Sequence, residues 1–356
     1  MNTEIVTPFS RDFWVRFEEL TQAGIVPHVF ENVLPADFPG PTEIEHSLRQ
    51  AQAIPERNKR LRIYIDGERR NDFATEFMRN PWSESTTAFE AMAKQFNADR
   101  LGFMVNDFQD WSLPLTKHIG TFLDGMSEVR GAAPSGAELI LFAGNYAGTP
   151  FGAHRGYEHA FLFHIGPGNK DFHLWSPELF VELTGSTDDV KDYAPLLSDA
   201  TTVTLKPGDL LYLPAYWYHI GTQSTFSSSV ALGLYDYPVA RWIRNKVNLI
   251  LESSYHPRMP YLSKSYDSNP FKTYVDNELH RIIDQELPTF VDEHWFKQMS
   301  NAGFISSDES LVAPISITEN SPIKVSTPFK ICWHTSSCTE KVTVYLRHRS
   351  IQFKNH

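Results

Sequence analysis

Between residues 136 and 237 the chain is cut into short apolar runs by Gly, Pro and Asp: AELILFAG, HAFLFHIG, DFHLWSP, ATTVTL, DLLYLP, YWYHIGTQ and SSSVALGLYD. Short strands at regular intervals, punctuated by turn residues, predict an all-β sandwich or barrel. This segment is the expected core.

The flanks read differently. Phe13, Trp14, Phe17 and Leu20 recur at helical spacing, and AGIVPHVFENVL then reads as extended. Strands are predicted at 61–70, with its turn, and at 100–107, and helices at 85–96 and 113–126. After Pro238 the pattern returns to helix at 239–253 and 273–287, separated by the loop SYHPRMPYLSKSYDSNP. The chain closes on strand-like PIKVSTPFKICWH and KVTVYLRHRSIQF. Three regions follow: a mixed α/β region over 1–130, the β core over 131–238, and a helical region ending in strands over 239–356.

At 356 residues a sizeable core can be buried, and 41% hydrophobic with 21% charged residues is a globular balance with no apolar run of bilayer length. No membrane span is expected. The start, MNTEIVTPFSRDFW, has no basic stretch followed by an apolar one, so a cytoplasmic location is expected. A formal charge of -11 argues against broad attraction to nucleic acid or anionic lipid. Cys332 and Cys338 read as free thiols, since zinc held by Cys332, His334 and Cys338 matches no common ligand spacing.

Two stretches of the core carry chemistry. In PGDLLYLPAYWYH, Pro207-Gly208-Asp209 is a turn that opens a strand, Pro214 ends it, and His219 follows five residues later. An imidazole at a strand edge in a barrel mouth can offer a neutral nitrogen to a metal. The other stretch, GAHRGYEHAFLFHIGPGNKDFHLW, runs from His154 through a strand and a Gly-containing turn to a second strand.

Together these stretches resemble the JmjC-like, cupin-fold oxygenases, in which P-G-D-x-L-x-x-P-x-x-x-x-H ends on an iron-binding histidine. The likeness covers about 140–237. It implies a double-stranded β-helix, a mainly β core of cupin or jelly-roll type. It also implies Fe(II) held by two histidines and a carboxylate, with sites left for 2-oxoglutarate and dioxygen. By that resemblance His154 and His219 are the imidazole ligands, and Lys170 is the cation that anchors the distal carboxylate of 2-oxoglutarate.

The chain departs from this pattern at one place. The family has H-x-D or H-x-E, whereas this sequence reads His154-Arg155-Gly156. A nearby donor is one explanation: Glu158 would restore two histidines and a carboxylate, while His164 would give the three-histidine set of cupin dioxygenases that need no 2-oxoglutarate. A vacancy is another, resembling the iron halogenases in which a halide takes the carboxylate's place. An inactive JmjC-like binding module is the third, and retention of both histidines in otherwise intact motifs counts against it.

Glu158 is the leading candidate, and a hydroxylase acting on a peptide, protein or amino-acid-like substrate is the expected activity. No P-loop, dinucleotide-binding, H-E-x-x-H or G-x-S-x-G string is present. The apolar helix after 238 falls where related proteins build a dimer interface, so a homodimer is expected.

Overall fold

The computed structural model describes residues 10–52, 60–79, 87–149, 151–235, 237–253, 261, 269–305, 325–335, 341–347 and 349–354. Cys338 and nearly all of the loop expected after residue 253 lie outside the described residues.

The N-terminal region runs α1 (Arg11–Leu20), β1 (His28–Phe30), α2 (Pro41–Gln52), β2 (Leu61–Ile65), β3 (Glu68–Arg69), α3 (Asp72–Arg79), α4 (Ala88–Phe96), β4 (Leu101–Val105) and α5 (Leu113–Val129). Helix α1 starts where the Ser10 hydroxyl accepts from the Phe13 N–H, and it buries the predicted Phe13, Trp14 and Phe17. Extended structure after it is confined to β1. The Thr21 hydroxyl donates to the Phe17 carbonyl and accepts from the Gly24 N–H, holding that stretch in turns. Helices α2 and α3 were not expected, because their buried positions are sparse and partly polar, as with Ser47 beside Ile44, Leu48 and Ala51.

The core runs β5 (Ala137–Gly144), β6 (His154–Arg155), β7 (Glu158–Pro167), β8 (Lys170–Trp175), α6 (Pro177–Thr184), β9 (Thr201–Leu205), β10 (Leu210–Leu213), β11 (Tyr218–Thr222) and β12 (Ser227–Tyr235). Helix α6 interrupts the expected strand series. The Ser176 hydroxyl accepts from the Leu179 N–H, Pro177 fits the first turn, and Gly185 ends the helix in the left-handed region.

Two antiparallel sheets result. The larger has the order β1-β10-β7-β12-β5-β4-β2-β3, so strands on both sides of residue 131 share it; the smaller is β6-β11-β8-β9. Leu162, Leu211, Leu213 and Ala231 of the larger sheet meet Phe172, Leu174 and Leu205 of the smaller. This is the double-stranded β-helix expected. The outer face of the larger sheet buries Phe161, Phe163, Tyr212 and Leu232 against α1 and α5. Because side chains alternate across a strand, each core strand has one row facing the gap between the sheets. That row positions the site.

The P-G-D turn has a structural reason. Asp209 is buried and its carboxylate accepts from the Asn32 and Lys206 N–H groups, tying the turn to the end of β1. Gly208 holds φ +99, which a residue with a side chain adopts only under strain.

The C-terminal region has α7 (Val239–Ser253), α8 (Pro270–His280) and α9 (Leu287–Ser300), the last two joined by a π-helical turn over Arg281–Glu286. The helix expected over 273–287 is therefore longer at its C-terminal end. Three strands follow as one antiparallel sheet, β13 (Ile331–Thr335), β14 (Lys341–Leu346) and β15 (Arg349–Lys354). No helix among the described residues is long and apolar enough to cross a membrane.

Candidate metal centre

His154 and His219 are direct cross-strand partners, on the two-residue β6 and on β11. Their rings lie 4.3 Å apart between centroids. The Nδ1 of His154 is 3.0 Å from the Gly152 carbonyl, and the Nδ1 of His219 is 3.1 Å from the Trp217 carbonyl. A carbonyl only accepts, so each Nδ1 carries the proton and each Nε2 keeps its lone pair for a metal. Burial pushes His154 down to about 4. Burial, then the neighbouring His154, pushes His219 down to about 3. Both imidazoles are neutral at neutral pH, the form a metal requires.

Gly152 is needed to set His154 in place. A Cβ there would sit 2.2 Å from the Val190 carbonyl oxygen, where the chain bridges Ala153 to Val190. Phe151 then packs edge-on against the His154 ring at 4.3 Å.

Glu158 opens β7 on the inward row it shares with Ala160 and Leu162. Its carboxylate folds back over Gly156: a Cβ built on Gly156 would lie 2.4 Å from Cδ and 2.5 Å from each carboxylate oxygen. The acid thus fills the space that an aspartate at 156 would enter. Burial raises its pKa, opposed by hydrogen bonds from the N–H groups of Glu158 and Tyr157. Among the described residues no three His, Cys, Asp or Glu side chains are grouped closely enough to hold a metal as they stand. The donor chemistry nonetheless suits Fe(II), with two neutral imidazoles and one carboxylate on the wall of a single cavity.

That cavity, about 90 Å³, is walled by Ile140, Phe142 and Leu162 and also reaches Lys170. Lys170 is only 2% exposed and its ammonium donates to the Tyr146 hydroxyl at 2.8 Å. Among the described residues it has no acidic partner. Phe142, Tyr146 and Phe172 surround its Nζ at 5.3–5.4 Å from their ring centroids. Burial without a counter-ion pushes the amine down to about 7. A buried cation of this kind is a receptor for an anion.

Comparison with solved structures bears on the fold. Escherichia coli YcfD, a ribosomal oxygenase in complex with cobalt and 2-oxoglutarate, superposes with a TM-score of 0.50 at 14% identity, covering 95% of this chain and 85% of that one. The chain has the JmjC-like double-stranded β-helix fold. A second YcfD structure matches at a TM-score of 0.47 with 14% identity, and one with cobalt and succinic acid at 0.46 with 13%, each covering 95% of this chain and 85% of the other. No protein-family model matches the sequence, and no curated protein matches it.

On this JmjC-like frame the four sequence candidates, His154, Glu158, Lys170 and His219, line one cavity. His164 does not join them. It is fully buried, with Nδ1 at 2.8 Å from the Ser229 hydroxyl and Nε2 at 2.7 Å from the Gly168 carbonyl, so both nitrogens are committed to the core. His159 points to the other face of the sheet, its Nδ1 2.7 Å from the Tyr212 hydroxyl. Two contributors escaped the sequence reading. Tyr146 caps the Lys170 ammonium. Gly221 makes room for the lysine, since a Cβ there would sit 2.9 Å from Lys170 Cε. Alternation from His219 along β11 puts Gly221 on the inward row, which was the available signal.

Proposed function

We propose that this chain is a non-haem Fe(II)- and 2-oxoglutarate-dependent oxygenase in which Glu158 supplies the carboxylate that Gly156 lacks. The observation that carries the reading is the Glu158 carboxylate lying in the side-chain space of Gly156, beside two imidazoles whose Nε2 lone pairs are unspent. His154, His219 and Glu158 would hold the metal, and Lys170 with Tyr146 would hold the distal carboxylate of 2-oxoglutarate. The cobalt and 2-oxoglutarate of the Escherichia coli neighbour support this pair of ligands. Bound iron with the co-substrate would supply the oxidising power to hydroxylate a carbon of a peptide, protein or amino-acid-like substrate. The protein's own share is to keep both imidazoles neutral and oriented, to present one ammonium to an anion, and to hold water away with Phe142, Phe172 and Leu162.

A halogenase is the second reading. It is favoured by one observation, that no closed three-donor set stands among the described residues. In that case Glu158 turns away from Gly156 and a halide takes the third place.

The three regions 1–130, 131–238 and 239–356 stand as our proposed division, and a cytoplasmic location as our proposed setting. A homodimer through the C-terminal helices is supported by the exposed Val239, Ile243, Leu249, Phe271 and Ile283. Light scattering at micromolar concentration tests it, a monomer counting against it.

The oxygenase reading is tested by anaerobic Fe(II) titration with and without 2-oxoglutarate, following the metal-to-ligand absorption of the chelated co-substrate. A band that appears only with both ligands is expected. Metal binding without the band removes 2-oxoglutarate from the account, and absence of metal binding leaves a binding module.

A further inference from the structure

Beside Glu158, outside the cavity, four tyrosines converge. Tyr235 stacks on Tyr237 at 5.0 Å and 17°. Tyr157 stands 6.3 Å from Tyr237 and meets Tyr216 edge-on at 5.7 Å. Into the corner between Tyr157 and Tyr237 projects Arg241 from the first turn of α7, its guanidinium carbon 4.4 Å from each ring centroid. Two aromatic faces at that distance are a strong receptor for a planar cation.

The acids behind the rings add to this. Glu138 is buried and accepts from the Asn106 side chain, the Asp107 N–H and the Tyr235 hydroxyl. Glu158 opposes Tyr235 across the β7 to β12 pairing. Neither carboxylate has an ion-pair partner among the described residues, and neither does Arg241. Hence the corner favours positive charge while its present occupant is held by ring faces alone. Tyr157 is 46% exposed and Arg241 partly so, which leaves the corner open to solvent.

We infer that this tyrosine corner is a guanidinium-binding subsite for a basic side chain of a partner peptide, and that Arg241 is its internal occupant, exchanged when such a peptide docks. A side chain held there lies outside the cavity of His154 and His219. It anchors the partner beside the reaction centre and is not the residue that reacts. Exchange would also release the first turn of α7 from the barrel, coupling docking to the helical region. The inference takes its place at the cavity mouth from the oxygenase reading, but its test needs neither metal nor turnover, so either can fail alone.

Calorimetric titration of the full chain with acetyl-Gly-Arg-Gly-amide, against the same peptide carrying citrulline, decides it. An internal occupant lowers apparent affinity by the fraction of time it holds the site, so Arg241→Ala should bind the arginine peptide at least about tenfold more tightly than wild type. The citrulline peptide should show no such gain, and adding Tyr237→Leu should abolish it. Equal affinity of wild type and Arg241→Ala, or equal binding of both peptides, overturns the proposal. Should Arg241→Ala fold poorly, hydrogen exchange on wild type replaces it. Saturating arginine peptide should then speed exchange of amides 241–243 in α7, and unchanged exchange contradicts the proposal.

Discussion

The carboxylate of Glu158 and the absent side chain of Gly156 occupy one volume, with 2.4 Å between Glu158 Cδ and a Cβ placed on residue 156. The two positions are therefore alternatives. Gly156→Asp should push Glu158 aside and restore an H-x-D motif. In that background Glu158→Ala should change the Fe(II) dissociation constant by less than about twofold, because two substitutions competing for one role are not additive. An unchanged large effect of Glu158→Ala in Gly156→Asp would show that the residues do not compete.

Lys170 sets a pH dependence. Burial holds its pKa near 7, and a carboxylate beside it raises that value. Below about pH 7 the ammonium is already present. Above it, 2-oxoglutarate must bring a proton with it. Affinity should therefore fall by up to about tenfold per pH unit between the free and the bound pKa. Calorimetry with Mn(II) in place of iron, in buffers of different ionisation enthalpy, should register proton uptake at pH 8. A dissociation constant that stays flat from pH 6 to 9 without uptake would contradict the assignment.

Gly221→Val drives a branched side chain into the Lys170 stem, which a Cβ alone would approach to 2.9 Å. Overpacking of this kind costs about 1–3 kcal/mol. The loss should fall on 2-oxoglutarate binding, leaving Fe(II) affinity close to wild type. Equal losses of both ligands would mean that the barrel, not the lysine, had been disturbed.

His164→Ala separates the two possible histidine sets. It removes two buried hydrogen bonds and leaves the Ser229 hydroxyl and Gly168 carbonyl without that partner. Thermal or urea unfolding should show a loss of about 2–4 kcal/mol. Metal affinity should not move, whereas a three-histidine centre would lose it.

Much of this was legible in the sequence. Short apolar runs between Gly, Pro and Asp located the core strands, and His154 and His219 lie on the smaller sheet. The two-residue β6 was invisible as a strand, because its sheet partner among the described residues is β11, more than sixty residues later. Helix α6 was hidden because Ser176-Pro177 reads equally as a strand end or a helix start. Glu158 was the leading candidate and His164 its alternative, both on the inward row of β7. What separates them is tertiary: Ser229 and Gly168 close around His164, while Glu158 faces a glycine on each side, Gly156 and Gly233. The burial of Lys170 depends likewise on Gly221 of another strand, which spacing within one motif does not reveal.

The most direct measurement is the Fe(II) dissociation constant of Glu158→Ala beside wild type, taken anaerobically with 2-oxoglutarate and without added halide. The account predicts a loss of at least about tenfold, as expected when a charged donor leaves a metal site. An affinity equal to wild type would show that Glu158 is not the third ligand, and tighter binding when the titration is repeated with chloride would place the halide there instead.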